Sequence, residues 1–117
     1  MNKLFLVEND DLTRQLFEEI FGERIYTLSS SEDLSFRLPD FAPDMVLFGA
    51  EIFLKDSLVE MERIKVCADI PFALMGFEPQ QAAASELGWK GAFLLKPLEI
   101  KHLEQIIADL HTQLSKS

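Results

Sequence analysis

Five short apolar runs punctuate this chain, and polar stretches with helical spacing separate them. The first, Leu4-Phe5-Leu6-Val7, contains no polar residue. A strand with one wet face alternates apolar and polar side chains. An unbroken run of this length instead suits a central parallel strand buried on both faces. The others are Ile25 to Leu28, which reads as an edge strand, Met45 to Phe48, Ile70 to Met75, and Phe93-Leu94-Leu95.

The intervening stretches carry helix signals. After Glu8-Asn9-Asp10-Asp11, with Asn9 or Asp10 as the cap, Leu12, Leu16, Phe17 and Ile20 fall on one helical stripe, and Gly22 suits the end. Ser29 to Asp33 reads as a capping segment for a short helix ending near Leu38, and Pro39 and Pro43 bracket a turn. Asp56 or Ser57 opens a helix carrying Leu58, Met61 and Ile64, extending toward Lys65 and Val66. Pro79 fits the first turn of the next helix, which continues through Gln80 to Leu87. The last helix is expected from about Glu99 to Leu114, with Leu103, Ile106, Ile107, Leu110 and Leu114 buried.

Five such βα units imply an α/β domain: a five-stranded parallel sheet in a three-layer sandwich, helices on both faces. The flavodoxin-like order 2-1-3-4-5 places the functional crevice at the carboxyl ends of strands one, three and four. Those ends hold Glu8-Asn9, Gly49-Ala50 and Gly76-Phe77, with Lys96 beside them after strand five.

A length of 117 residues suits one domain spanning 1–117, and a hydrophobic fraction of 48% supplies a core. The formal charge of −9 disfavours nucleic acid and anionic lipid as partners, since both call for a basic surface. No apolar run approaches the roughly 20 residues of a membrane span. The opening Met1-Asn2-Lys3-Leu4 leads straight into a strand-like run, without the pattern of a signal peptide. One cysteine, Cys67, allows no internal disulfide and fits a reducing, cytoplasmic setting; in its apolar stretch it reads as a buried thiol.

"LFLVENDDLTRQLF", "FAPDMVLFG" and above all "GAFLLKPLEIKHLEQII" resemble the receiver domains of two-component response regulators, over residues Lys3 to about Leu114. The resemblance implies roles for particular positions. Glu8 and Asn9 match an acidic pair that helps hold Mg²⁺. Gly49 stands where receivers carry the aspartate that accepts the phosphoryl group. Gly76 stands where a Ser or Thr contacts that group, and Phe77 where a small residue is usual. Lys96 matches the lysine that pairs with the phosphoryl group, and Phe93 an aromatic that reports the switch state. The face built by the fourth helix, strand five and the fifth helix, including Gln81 and Ala84, is one that receivers commonly use for partners or dimers.

Aspartyl phosphorylation needs a carboxylate nucleophile, and glycine offers none. Mg²⁺ prefers carboxylate oxygens, and Glu8 is the one anionic candidate at these strand ends, so Mg²⁺ binding is expected to be weak or absent and no cofactor is expected. Phe77 adds bulk where a phosphoryl group would need room. Glu51, read as lying on the loop after strand three, and Asp56 are displaced carboxylates that could stand in as acceptors. Glu8 is expected either as a solvated turn residue or as the ion-pair partner of Lys96. His102 and His111, nine residues apart, are not placed to share a metal, and Trp89 reads as a packing cap.

These departures imply a degenerate receiver domain: not an enzyme, and working by phosphorylation-independent protein–protein contact, homodimerisation included. A different class of function is a crevice for a small ligand, with Phe77 and Phe53 as apolar walls and Lys96 as the polar group.

Overall fold

Strand β1, Leu4–Val7, is wholly buried and forms the axis of the domain. In the computed structural model, which describes residues 2–116, β1 pairs in parallel with β2, Ile25–Leu28, on one side and β3, Met45–Gly49, on the other. Strands β4, Phe72–Gly76, and β5, Ala92–Leu95, extend the sheet, giving the order β2-β1-β3-β4-β5. Every pairing is parallel. The order is the one that the spacing of the apolar runs predicts.

Alternate residues of β1 and β3 serve two cores. Phe5, Val7, Val46 and Phe48 face a layer formed by α2, Leu34–Phe41, α3, Ala50–Lys55, the 3-10 turn Ile64–Cys67 that follows α4, Ser57–Arg63, and α5, Glu78–Glu86. Leu4, Leu6, Met45 and Leu47 face α1, Asp11–Phe21, and α6, Leu103–Ser115, through Phe17, Phe21, Leu103 and Ile107. Each buried Phe or Leu contributes about 1.5–3 kcal/mol through removal of apolar surface from water. Among the described residues, no helix is long and apolar enough to cross a membrane.

Helix ends follow local chemistry. Asp10 caps α1 by accepting the Thr13 N–H at 3.0 Å, and Gly22 ends it at φ 58°, a left-handed value that glycine takes without strain. Asp56 caps α4 through the Val59 N–H at 3.3 Å.

Several expectations need correction. Pro39 does not end α2; it lies inside the helix, which runs to Phe41 and stops at Ala42, φ 49°. The amide that Pro39 lacks would have paired with exposed Ser35, so water can serve that carbonyl. Residues 50–55 are not a loop: α3 follows β3 directly and buries Ile52 and Phe53. The third crossover is therefore split at Asp56, which shifts the phase of α4. Leu58, Met61 and Val66 are exposed, and the buried residue of α4 is Glu60. Leu12 is also exposed; the buried stripe of α1 is centred on Phe17 and Phe21 instead. Because two helices occupy the third crossover, the expected partner face is α5–β5–α6 in this numbering.

Candidate functional site

The carboxyl ends of β1, β3, β4 and β5 bring Glu8, Gly49, Gly76 and Lys96 together. Glu8 follows β1 and is held by its backbone: its N–H donates to the Leu28 carbonyl at 2.9 Å, and Arg14 Nη1 donates to its carbonyl at 2.6 Å. Its side chain turns inward and is only 3% exposed. Lys96 Nζ donates to Glu8 Oε1 at 2.8 Å, and the Asn9 N–H donates to Oε2 at 3.1 Å. Of the two expectations for Glu8, the ion pair with Lys96 is the one the structure shows. Lys96 is itself fixed by its N–H, which donates to the Gly76 carbonyl at 2.8 Å, and its peptide bond to Pro97 is cis.

The two glycines are explained by their neighbours. A Cβ on Gly49 would sit 2.7 Å from Glu8 Oε2, well inside van der Waals contact. The Glu8 carboxylate thus occupies the space into which a side chain at position 49 would grow. A Cβ on Gly76 would overlap Gln80 Oε1 and approach the Ala50 methyl group at 2.9 Å. Gln80 Oε1 folds back to accept the Phe77 N–H at 2.8 Å, serving an otherwise open donor at the start of α5. Side chains from neighbouring elements fill the volume left by both glycines. Asn9 Oδ1 is buried with no hydrogen-bond partner among the described residues.

Phe77 does not fill the pocket. It is 50% exposed, with its ring centroid 5.8 Å from Lys96 Nζ, and so stands at the mouth. Phe53 is not beside it. Phe53 is wholly buried and packs edge-on against Trp89 at 5.8 Å, so the expected Phe53–Phe77 pocket wall does not form. A different cleft of about 430 Å³ opens next to Lys96, between α1 and residues 96–100, with Phe77 and Glu51 on its margin.

The two displaced carboxylates lie on the helices that follow β3. Glu51 is exposed in the first turn of α3, and Asp56 is engaged as the α4 cap. The carboxyl of Asp10 is held below the usual aspartate value, first by the Thr13 hydroxyl and then by the Thr13 N–H.

On the expected partner face, Gln81 is exposed and Phe93 is half-buried, both lining a surface hollow between α5 and β5. Ala84 is wholly buried against the sheet and cannot be a surface contact. Helix α5 must approach the sheet closely, and its small residue lies at the point of contact.

Cys67 is buried, and burial pushes its thiol up to about 12; Lys65 nearby is paired with Glu62 at 2.7 Å. His111 sits 3.3 Å from the Ser115 hydroxyl. The described residues contain no cluster of three or more His, Cys, Asp or Glu side chains able to hold a metal. Trp89 packs against Phe53 and Phe72, and its Nε1–H donates to the Ala92 carbonyl at 3.1 Å, as a packing cap should. Sequence reading missed one polar cluster: buried Ser31 donates to Glu60 Oε1 and accepts Arg63 Nη1 at 2.8 Å, tying the segment after β2 to α4. Glu60 lies among apolar residues at no telling interval, so no sequence signal marked it.

No family model and no curated protein matches the chain. Solved structures do. The N-terminal domain of an uncharacterized protein from Wolinella succinogenes is 25% identical, with 98% of each chain covered and a TM-score of 0.66. A transiently phosphorylated switch of bacterial signal transduction is 19% identical, with 97% of each chain covered and a TM-score of 0.73. The N-terminal domain of the nisin resistance regulator NsrR, a lantibiotic response regulator, is 16% identical over 95% of this chain and 98% of its own, with a TM-score of 0.70. The chain has the fold of a response-regulator receiver domain.

Proposed function

We propose that this chain is a degenerate receiver domain that signals through protein–protein contact without taking up a phosphoryl group. One observation carries the reading: the Glu8 carboxylate, paired with Lys96, occupies the space that a side chain at the end of β3 would need. Transfer to a carboxylate requires an exposed, aligned oxygen. The Glu8 carboxylate is buried and engaged through both oxygens, while Glu51 is exposed in the first turn of α3 and Asp56 is engaged as the α4 cap. With a lysine on its one buried carboxylate, the pocket also offers Mg²⁺ a poor site. The receiver fold and the neighbours' printed roles in signal transduction support a regulatory rather than an enzymatic activity. The α5–β5–α6 face, with Gln81 and Phe93, is the proposed contact surface, for a protein partner or a second copy in a reducing, cytoplasmic setting.

The test is incubation with acetyl phosphate and Mg²⁺, followed by intact-protein mass measurement, and a beryllofluoride titration followed by NMR. No phosphoryl adduct and no shift at Glu8, Gly49 or Lys96 are expected. A stable adduct, or saturable beryllofluoride binding, overturns the reading. An adduct that disappears in Glu51→Ala or Asp56→Ala would assign the acceptor to that displaced carboxylate.

A further inference from the structure

Both cores come to the surface at one place. Around the amino ends of β4 and β5, at the far end of the sheet from Glu8, a hollow of about 570 Å³ opens between residues 67–72, the turn 89–91 and the last turn of α6. Ile64, Ile70, Phe72 and Trp89 reach it from one core and Leu114 from the other, each half-buried, and Pro71 completes the apolar wall. Apolar side chains exposed singly are ordinary. Six around one concavity hold water against a continuous apolar surface, and a ligand would release it.

Shape and charge both restrict the occupant. Trp89, Phe72 and Pro71 present flat faces, and the Trp89 and Phe72 rings, with centroids 5.6 Å apart, meet at 57°. Such a corner suits a further planar ring. A Cβ on Gly91 would lie 2.6 Å from Trp89 Cζ2, so it is glycine at this position that keeps the indole edge clear of a side chain. Asp69 is exposed, is the one charged residue of the lining, and makes no ion pair among the described residues. The Cys67 thiol, pushed up to about 12 by burial, stays neutral. Of the lysines nearest in sequence, Lys65 is paired with Glu62 at 2.7 Å, and Lys90 lines the separate hollow between α5 and β5. An uncompensated carboxylate beside aromatic faces selects a cation, since both attract one.

We propose that this hollow binds a small aromatic amine, with its ring against Trp89 and Phe72 and its ammonium group at Asp69. The apolar walls supply the affinity and the one carboxylate fixes the orientation. The site lies at the opposite end of the sheet from Glu8 and Lys96 and does not depend on whether the chain accepts phosphate.

The probe is phenethylamine, cationic at neutral pH, titrated into the full chain and followed by NMR at the Trp89 indole N–H and the Gly91 amide. Phenethyl alcohol and phenylpropionate carry the same ring and serve as neutral and anionic counterparts. Saturable shifts are expected, with the amine binding tightest and the acid weakest, and the amine's lead shrinking as salt is raised. Asp69→Asn keeps the size of an exposed side chain; it should weaken the amine about threefold and leave the alcohol unchanged. Trp89 also lines the hollow between α5 and β5, where Glu78 is the carboxylate, so Glu78→Gln is the control and should change nothing. No saturable shift, equal or tighter binding of the acid, or unaltered affinity for the amine in Asp69→Asn overturns the proposal. So does weakening in Glu78→Gln with Asp69→Asn unaffected, which would move the ligand to the α5–β5 hollow.

Discussion

Glu8 Oε2 lies 2.7 Å from the point where a Cβ on Gly49 would stand, so one residue occupies the room of the other. The carboxylate in that space comes from the end of β1, and Lys96 meets it there at 2.8 Å.

Removing one member of that pair should be costly. In Glu8→Ala the Lys96 ammonium, with a side chain 15% exposed, loses its one ion-pair partner among the described residues. A loss of about 1–3 kcal/mol is expected, because a mostly buried ammonium is left without its carboxylate. Urea denaturation measures it. The double variant Glu8→Leu with Lys96→Met should recover most of the loss.

Introducing an aspartate at position 49 should fail in the native background and succeed only with a compensating change. Gly49→Asp forces its Cβ against Glu8 and places two carboxylates in one site. A destabilisation of about 1–3 kcal/mol from overpacking is expected, before the charge repulsion is counted. Adding Glu8→Ala should restore the melting temperature and leave Lys96 paired with the new carboxylate. Equal melting temperatures for Gly49→Asp and the unmodified chain would show that Glu8 moves aside freely.

Acid sensitivity should have an identifiable contributor at Asp44. Its carboxylate accepts the N–H groups of Asn2 and Lys3, both at 2.8 Å, and these bonds, Asn2 first, hold it below the usual aspartate value. A carboxyl depressed in the folded state binds its proton less readily there than in the unfolded chain. Its contribution is thus complete above the ordinary aspartate range, about 4, and is lost as pH falls through the depressed value. Asp44→Ala should therefore be less stable than the parent at neutral pH, with the gap closing toward pH 2. A gap that stays constant down to that pH would remove Asp44 from the account.

Cys67 should be inert until the chain unfolds. Burial pushes its thiol up to about 12, and the thiolate is the reactive form. Iodoacetamide at mildly alkaline pH should leave it unmodified over hours, and should label it fully in denaturing urea. Labelling of the native protein at the rate of a free thiol would contradict the burial.

The sheet was legible because β1 and β3 are buried on both faces and contain no polar residue, leaving one reading of their runs. The Glu8–Lys96 pair was legible as one of two choices, since both residues end strands that share the crevice. Helix α3 was not, because its six residues follow β3 without a loop or a side-chain cap. That omission carried over to α4: once Asp56 restarts the helix, Leu58 points to water and Glu60 is covered by Ser31 and Arg63. The filling of the Gly49 and Gly76 spaces was equally hidden. Each depends on how far a side chain reaches, across strands from Glu8 and back along α5 from Gln80, and sequence order does not encode that reach. Phe77 was expected in the pocket because of its bulk; its backbone instead turns the ring outward over Lys96.

Trp89 is the one tryptophan of the chain, and it packs beside Phe72 and Ala92, the first residues of β4 and β5. Gly49, Gly76 and Lys96 lie at the opposite ends of the strands, about 15 Å away along the sheet. Its emission is a fluorescent gauge of whether the hydrophobic layer is assembled, and it is optically blind to what happens around Glu8. A variant that alters binding while the native Trp89 spectrum stays constant has changed a surface and left the scaffold beneath it whole.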